Sequence, residues 1–285
     1  MGSGIAETAA VNGFEVVLRS RNQSTADATI ASLEKSLNRQ VEKGKKTEAE
    51  RDAALALVTA TSDLGALKDV DLVIESVVED LAVKKELFNE LDRITADHTI
   101  LATNTSTLPV VELAMQTGRP DKVCGVHFFN PAPMMDLVEL VKPLTASDET
   151  LAATRTFAEA CGKTPVEVKD QAGFIVNALL FPYLNNAVRL YEQGVASIED
   201  IDRSWMHVTK SSWGPFGGLD AVGLDTVLQI TDYWAHELSS DLQLRHNANF
   251  LRGYVNRGEL GVKSGKGFYS YPDPAFARPG FTEGV

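Results

Sequence analysis

The sequence predicts an α/β protein whose first part is a mainly parallel sheet covered by helices and whose last part is all-α. Two observations lead to this prediction. Short apolar runs alternate with segments of helical period up to about residue 170, and beyond Gly173 only helical patterns continue. Near-continuous apolar strands that alternate with helices are typical of parallel sheets, because crossover helices bury both faces.

Six segments in the first part have the length and the apolar, β-branched composition of strands. They span residues 15–20, 71–76, 99–103, 123–129, 137–141 and 165–168. Segments of helical period lie between them, at residues 26–43, 48–58, 83–94, 110–115 and 148–161. This order predicts successive strand–helix units.

The second part reads as a helical domain. Helical patterns cover residues 174–193, 198–210, 217–238 and 247–256, and turns such as Trp213-Gly214-Pro215 separate them. We therefore expect two domains, residues 1–171 and residues 172–285, the second ending in a loop tail from Tyr271 on.

Composition excludes several function classes. Of the 285 residues, 44% are hydrophobic and 23% charged, as in soluble globular proteins. The net charge of −12 argues against a nucleic-acid partner, because phosphate binding needs clustered Lys and Arg. No apolar run approaches the roughly 20 residues of a membrane span, and we expect neither a membrane partner nor a signal peptide. Cys124 and Cys161 form no CxxC pair, which favours free thiols in the cytoplasm and no metal site.

The chain opens within a dinucleotide-binding fingerprint. In Met1-Gly2-Ser3-Gly4, followed by a short helix and a strand, Gly2 matches the third glycine of the GxGxxG turn of a Rossmann βαβ unit. The first strand and the first two glycines are absent, so we expect a Rossmann-type sheet that is truncated at its N-terminus. We expect the recorded start to lie about a dozen residues too late; a real truncation would be severely destabilising. Alone, these glycines also suit an ordinary flexible terminus.

The strand at residues 15–20 ends without the acidic residue that usually binds the adenosine ribose. Ser20 stands at that position, with Arg19 before it and Arg21 after it. A neutral residue flanked by guanidinium groups suits a 2′-phosphate, which favours NADP(H) or tolerance of it beside NAD. The alternative is that both arginines are solvated surface charges.

Several polar motifs are predicted to meet at the carboxyl edge of the sheet, where such folds bind ligands. They are the segments NTSTLP with Ser106, VHFFNPAP with His127 and LVEL with Glu139; GFIVN with Asn177 opens the helical domain. Histidine suits the removal of a hydroxyl proton near neutral pH, and a carboxylate on its far nitrogen fixes the tautomer. A hydroxyl and an amide, from Ser106 and Asn177, can orient a substrate oxygen. Taken singly, each residue also suits an ordinary structural role.

Together these motifs resemble the 3-hydroxyacyl-CoA dehydrogenase family. The resemblance spans nearly the whole chain, through MGSGIA, IESVVEDLAVKKELF, NTSTLP, VHFFNPAP, LVEL, GFIVNALL, GPFGGLDAVGLDT and the closing GKGFY. It implies a nicotinamide-dependent enzyme that interconverts 3-hydroxyacyl-CoA and 3-ketoacyl-CoA, built from a Rossmann domain and a helical domain that forms a homodimer.

The resemblance also implies roles for individual residues. His127 matches the catalytic base and Glu139 its acidic partner, while Ser106 and Asn177 match the residues that hold the substrate's 3-oxygen. The positions that match the lining of the dinucleotide site are Glu79, Lys84, Ser106, Asn130 and Lys263. The positions that match contacts to coenzyme A are Ser36 and Lys43, on the helical segment after the first predicted strand.

Three positions depart from the family pattern. Ser20 replaces the usual acidic residue, which puts a preference for NAD in doubt. Ala178 follows Asn177 where many members have Arg, and Asp136 precedes LVEL where Lys is common. None of these departures removes a catalytic group.

Three alternatives remain at this point. The chain is a non-catalytic dinucleotide-binding or structural protein on the same scaffold, a truncated inactive form, or a dehydrogenase of free hydroxy acids. The presence of Ser106, His127, Glu139 and Asn177 argues against a purely structural role. The fold alone does not separate these alternatives.

Overall fold

The computed structural model describes residues 1–235 and 242–284. The chain divides into two compact units, Met1–Phe174 and Ile175–Val285. The N-terminal unit holds α/β structure, while the described part of the C-terminal unit is helical with short 3-10 turns.

The strands of the N-terminal unit form two separate sheets. Strands β1 (Val16–Arg19) and β2 (Val58–Thr61) form a parallel pair. The second sheet contains, in spatial order, β3 (Leu72–Glu75), β4 (Ile100–Thr103), β5 (Val123–Phe128), β6 (Leu137–Lys142) and β7 (Thr164–Lys169). Neighbouring strands are parallel except for β5 and β6, which are antiparallel. The short connection at residues 129–136 explains this exception, because a parallel crossover needs a dozen residues or more.

Helices with well-defined starts connect the strands. They are α1 (Gly2–Val11), α2 (Gln23–Glu42), α3 (Glu48–Ala56), α4 (Leu81–Ile94), α5 (Val110–Ala114) and α6 (Asp148–Ala160). Asn22, Thr47, Asp80 and Ser147 each accept a backbone N–H in the first turn of the helix that follows, which satisfies a donor that would otherwise be unpaired.

Helix α1 contacts the cores on both sheets. Ile5 packs with residues of β4, β5 and β6, whereas Ala6 and Ala10 pack with Leu18 of β1. In a further core cluster, Val17 of β1 and Val73 of β3 both pack against residues around the buried Phe88. The two sheets are therefore held beside each other by side-chain packing, without hydrogen bonds between β1 and β3.

In the C-terminal unit, helices surround an aromatic-rich core. They are α7 (Val176–Glu192), α8 (Ile198–Thr209), α9 (Pro215–Val222), α10 (Leu224–Tyr233) and α11 (Leu242–Asn256). Phe216, Leu219, Leu224 and Leu251 are fully buried in this core. No helix in the described residues is both long enough and apolar enough to cross a membrane.

Two sequence predictions are wrong in detail. The helix predicted at residues 48–58 ends at Ala56, and Val58–Thr61 forms β2, which the sequence analysis missed. The single helix predicted at residues 217–238 is two helices, because Gly223 takes a φ of +96° that ends α9. Residues 236–238 of that prediction lie outside the described residues.

Candidate active site

His127 and Glu139 lie directly opposite each other on the antiparallel strands β5 and β6. Opposite residues of an antiparallel pair project to the same face of the sheet, so both side chains meet there. His127 Nδ1 lies 2.8 Å from Glu139 Oε2. Only 6% of His127 and 1% of Glu139 are exposed, so little solvent screens this interaction.

The pairing determines what the imidazole can do. An ionised carboxylate only accepts hydrogen bonds, so it places the ring proton on Nδ1 and leaves a lone pair on Nε2. The rings of Phe129 and Phe174 lie 4.6 Å and 5.6 Å from the imidazole centroid. These aromatic neighbours hold the ring in an apolar setting in which Nε2 suits a proton acceptor.

The loop after β4 is tied to the ends of two other strands. The backbone N–H of Asn104 donates to the Glu75 carbonyl at the end of β3, at 2.8 Å. The Asn104 side-chain oxygen accepts the Phe128 N–H of β5, also at 2.8 Å. Asn104 thereby links the residue beside His127 to the loop that carries the half-buried Ser106. The structure thus brings Ser106 and His127 to the same edge of the sheet.

A buried ion cluster lies beneath this loop. Lys84 Nζ is 2.7 Å and 2.9 Å from the two Glu75 oxygens and 3.3 Å from Glu79 Oε2. Glu79 Oε1 accepts the Ser106 N–H at 3.0 Å and the Thr105 hydroxyl. Burial alone would raise the pKa of Glu79, but the attraction of Lys84 and these hydrogen bonds lower it. Glu79 is therefore an anion next to the Ser106 loop.

Two other predicted site residues share a cavity. A space of about 200 Å³ beside the start of α1 is lined by Ser36 of α2 and by Asn130, among other residues. Gly4 permits the close approach of α1, because a Cβ there would lie 3.1 Å from Pro133 Cδ. Gly2 has more room: a Cβ there would make only an ordinary contact, 3.8 Å from Ser76. The close packing of this segment is thus at Gly4.

Ser20 and Arg21 occupy the turn between β1 and α2, whereas Lys43 lies at the far end of α2. The Ser20 N–H donates to the Thr61 carbonyl at 3.0 Å, and Arg21 is exposed. Lys43 is the exposed C-cap of α2, seven residues beyond Ser36. Seven residues are about two helical turns, or roughly 10 Å, so Ser36 and Lys43 lie on one side of the helix.

Asn177 and Lys263 belong to the C-terminal unit. Asn177 is half-buried in the first turn of α7. The Lys263 ammonium pairs with Asp225. Burial opposes ionisation of Asp225, but hydrogen bonds, above all from Lys263, hold its pKa below the ordinary value.

Four side chains that support these segments were missed by the sequence analysis. Glu75 and Asn104 accept hydrogen bonds from the ends of β4 and β5, Lys163 donates to the loop after β5, and Asp170 accepts an N–H at the start of α5. Glu75 could have been found from the sequence, because a charged residue in an apolar strand is buried only when it has a partner. The others resemble ordinary loop residues in sequence.

Comparisons with known proteins decide the family. A family model described as the NAD binding domain of 3-hydroxyacyl-CoA dehydrogenase matches residues 1–171. A second, described as the C-terminal domain of the same enzyme, matches residues 173–271. The chain belongs to the 3-hydroxyacyl-CoA dehydrogenase family. The family predicted from the motifs is therefore confirmed. The NAD-binding domain is the α/β part of the chain, residues 1–171.

Curated relatives agree across almost the whole chain. A 3-hydroxybutyryl-CoA dehydrogenase of Mycobacterium tuberculosis is 45% identical over 275 residues, with 95% of each chain covered. The human mitochondrial hydroxyacyl-coenzyme A dehydrogenase is 42% identical, with 95% of this chain and 88% of the relative covered.

Solved structures of the 3-hydroxyacyl-CoA dehydrogenase family share the fold. The M. tuberculosis FadB2 structure has a TM-score of 0.90 at 44% identity, with 95% of each chain covered. The (S)-3-hydroxybutyryl-CoA dehydrogenase of Ralstonia eutropha has a TM-score of 0.89 at 37% identity, with 96% of each chain covered. The predicted fold class, a mainly parallel sheet followed by a helical part, is confirmed.

Proposed function

We propose that this protein is an NAD(P)-dependent oxidoreductase that interconverts L-3-hydroxyacyl-CoA and 3-ketoacyl-CoA in fatty-acid or butyrate metabolism. The observation that carries the proposal is the buried pair of His127 and Glu139, with 2.8 Å between Nδ1 and Oε2. Oxidation of an alcohol requires a group that removes the hydroxyl proton as hydride leaves the carbon. The names of the relatives described above support the thioester as substrate.

In the oxidising direction, His127 Nε2 takes the proton from the 3-hydroxyl group. Glu139 accepts the hydrogen bond from Nδ1 and stabilises the imidazolium that forms. In the reducing direction, the same imidazolium returns its proton to the 3-carbonyl oxygen. We assign Ser106 and Asn177 to hold the substrate's 3-oxygen through hydrogen bonds.

The N-terminal unit suits a nicotinamide dinucleotide. Met1 makes no side-chain capping bond at the start of α1. The first N–H groups of a helix suit a phosphate group when no cap satisfies them. Gly2 lies at that end of the helix, beside Ser76 just beyond β3, and we assign it to the cofactor site. We assign Glu79, Lys84, Ser106, Asn130 and Lys263 to the same site. When bound, the cofactor supplies the hydride acceptor or donor.

We propose that NADP(H) is used or tolerated beside NAD(H). Ser20 presents no negative charge at the end of β1, and Arg21 is exposed in the following turn. Arg19 Nε is buried and has no hydrogen-bond partner in the described residues. A buried guanidinium donor of this kind is costly unless an acceptor reaches it, and a 2′-phosphate oxygen is a suitable acceptor.

We assign the coenzyme A part of the substrate to α2. Ser36 lines the cavity beside α1, and Lys43 places a cation farther along the same helix. A Lys ammonium pairs well with a phosphate group.

We further propose a cytoplasmic homodimer that forms through the helical unit. Light scattering of the purified protein tests the mass of this dimer.

A spectrophotometric assay tests the proposed function. Acetoacetyl-CoA is added to the purified protein with NADH or NADPH, and the loss of reduced-cofactor absorbance is followed. We expect turnover with both cofactors. Free acetoacetate is the matched control substrate, because it carries the same 3-carbonyl group without the thioester. Cofactor binding without turnover would contradict the proposal and favour a non-catalytic protein.

A further inference from the structure

The side chain of Glu75 has no exposed surface, although Glu75 stands at the end of an otherwise apolar strand. It accepts the Val77 N–H at 2.6 Å, the Thr103 hydroxyl at 2.8 Å and two contacts from Lys84. Each oxygen of the carboxylate is therefore used. An ionised group at such a site costs several kcal/mol of lost hydration unless partners of this kind surround it.

Lys84 is equally enclosed. Its ammonium has three N–H groups, and three carboxylate oxygens lie within 3.3 Å of it: two from Glu75 and one from Glu79. Lys84 is 1% exposed. In this arrangement its charge is directed to the two carboxylates, so Lys84 acts on a ligand through Glu79, whose side chain is 36% exposed.

Two routes lead from Glu75 to the same loop. The first runs through Lys84 to Glu79, which accepts the Ser106 N–H at 3.0 Å. The second runs through the Thr103 hydroxyl, which accepts the Thr105 N–H at 3.2 Å. The two routes end at the neighbouring residues Ser106 and Thr105. A displacement of the Glu75 carboxylate therefore moves the Glu79 carboxylate and the Ser106 hydroxyl together.

We propose that Glu75 is a positioning residue of the dinucleotide site, which sets the place of Glu79 and of the Ser106 loop through Lys84 and Thr103. This inference rests on the proposed function. Because its side chain is fully buried, we place Glu75 out of contact with substrate and cofactor. Its effect is to pre-organise the groups that make this contact, and a misplacement of about 1 Å in such groups costs up to about a hundredfold in rate.

The test compares Glu75→Gln, Lys84→Met, the double variant and a matched control. Glu112→Gln is the control, because Glu112 pairs with the adjacent Lys85 at 2.6 Å on the exposed side of α4. The measurements are the NADH dissociation constant by fluorescence titration, kcat with acetoacetyl-CoA, and the thermal midpoint. We expect Glu75→Gln to weaken NADH binding about tenfold and to lower kcat about tenfold or more. Glu112→Gln should match the parent protein.

The double variant separates positioning from stability. Removing Glu75 alone leaves Lys84 buried and short of a partner, which is destabilising, whereas removing both charges is often neutral. We expect the double variant to regain part of the thermal midpoint that Glu75→Gln loses, because Glu79 still lacks its contact with Lys84, while NADH binding stays weak. Recovery of binding and midpoint together would overturn the inference, as would a Glu75→Gln protein with parent affinity and kcat. If the parent protein itself neither binds NADH nor turns over, the proposed function fails and this inference with it.

Discussion

The Tyr269 hydroxyl donates a hydrogen bond of 3.0 Å to the buried carboxylate of Asp202. The same carboxylate accepts the backbone N–H groups of Phe216 at 2.8 Å and Gly217 at 2.9 Å, in the first turn of α9. Asp202 itself lies on α8 and is completely buried. One side chain thus joins two helices to the segment that follows α11 in the C-terminal unit.

Burial raises the pKa of Asp202 to about 6, although its hydrogen bonds oppose the shift. Because this pKa lies above the unfolded value near 3.8, the folded state favours the protonated carboxyl. The protonated Asp202 carboxyl makes its full contribution to the free energy of unfolding below about pH 4. This contribution is lost as the pH rises through 6. The loss is about 3 kcal/mol. Urea unfolding of the parent protein and Asp202→Asn between pH 4.5 and 7 should give a flatter pH dependence for the variant; parallel curves would contradict this.

The pairing of His127 with Glu139 predicts the outcome of Glu139→Gln. The amide carries no charge to stabilise the imidazolium and no longer enforces a proton on Nδ1. We expect kcat with acetoacetyl-CoA to fall between about a hundredfold and ten-thousandfold, with NADH affinity unchanged. The half-exposed His98, which pairs with Asp71 at 3.3 Å, offers the control His98→Gln, and its kcat should equal that of the parent. A Glu139→Gln enzyme with parent kcat would remove the proposed acid–base pair.

The turn after β1 predicts how cofactor choice can be changed. Ser20→Asp introduces a carboxylate that repels a 2′-phosphate and accepts a hydrogen bond from a 2′-hydroxyl. We expect kcat/KM with NADPH to fall about tenfold to a hundredfold, while the value with NADH is kept or rises. The control is Arg93→Ala, which removes an exposed arginine on α4. An unchanged ratio of the two kcat/KM values in Ser20→Asp would contradict the prediction.

The buried Lys163 predicts a stability effect on the loop between β5 and β6. Its ammonium donates to the carbonyls of Ala132 at 2.8 Å and Met135 at 3.0 Å. Lys163→Met leaves both carbonyls without this donor, and we expect a loss of about 2 to 3 kcal/mol in the free energy of unfolding. The exposed Lys169 supplies the control Lys169→Met, with a change within about 0.5 kcal/mol. Equal urea midpoints for the two variants would argue against the loop-holding role.

Most strands and helices could be predicted from apolar periodicity, because burial on one or both faces leaves a local pattern. Strand β2 could not, because the helical pattern of α3 runs into its first residue, Val58, and because its pairing partner in the described residues is the distant β1. The break at Gly223 was missed for a related reason: an isolated glycine inside a helical pattern does not reveal its φ.

The candidate site was predictable as a set of motifs but not as a network. His127 and Glu139 stand twelve positions apart, and only the antiparallel pairing of β5 and β6 places them opposite each other. The motifs identified Lys84 as a lining residue, whereas the structure directs its ammonium to Glu75 and Glu79. Such contacts depend on how α4 packs against the end of β3, which no local pattern encodes.

The register of β5 against β6 couples catalysis to correct folding. Side chains alternate between the two faces of a sheet, so a slip of one residue would turn the imidazole and the carboxylate to opposite faces. The same slip would separate Val126 and Leu140, which are fully buried and pack in one core cluster, by turning one of them to the other face of the sheet. A chain misaligned at this ladder therefore loses its core and its chemistry in one step, and quality control that removes unstable molecules also removes inactive ones.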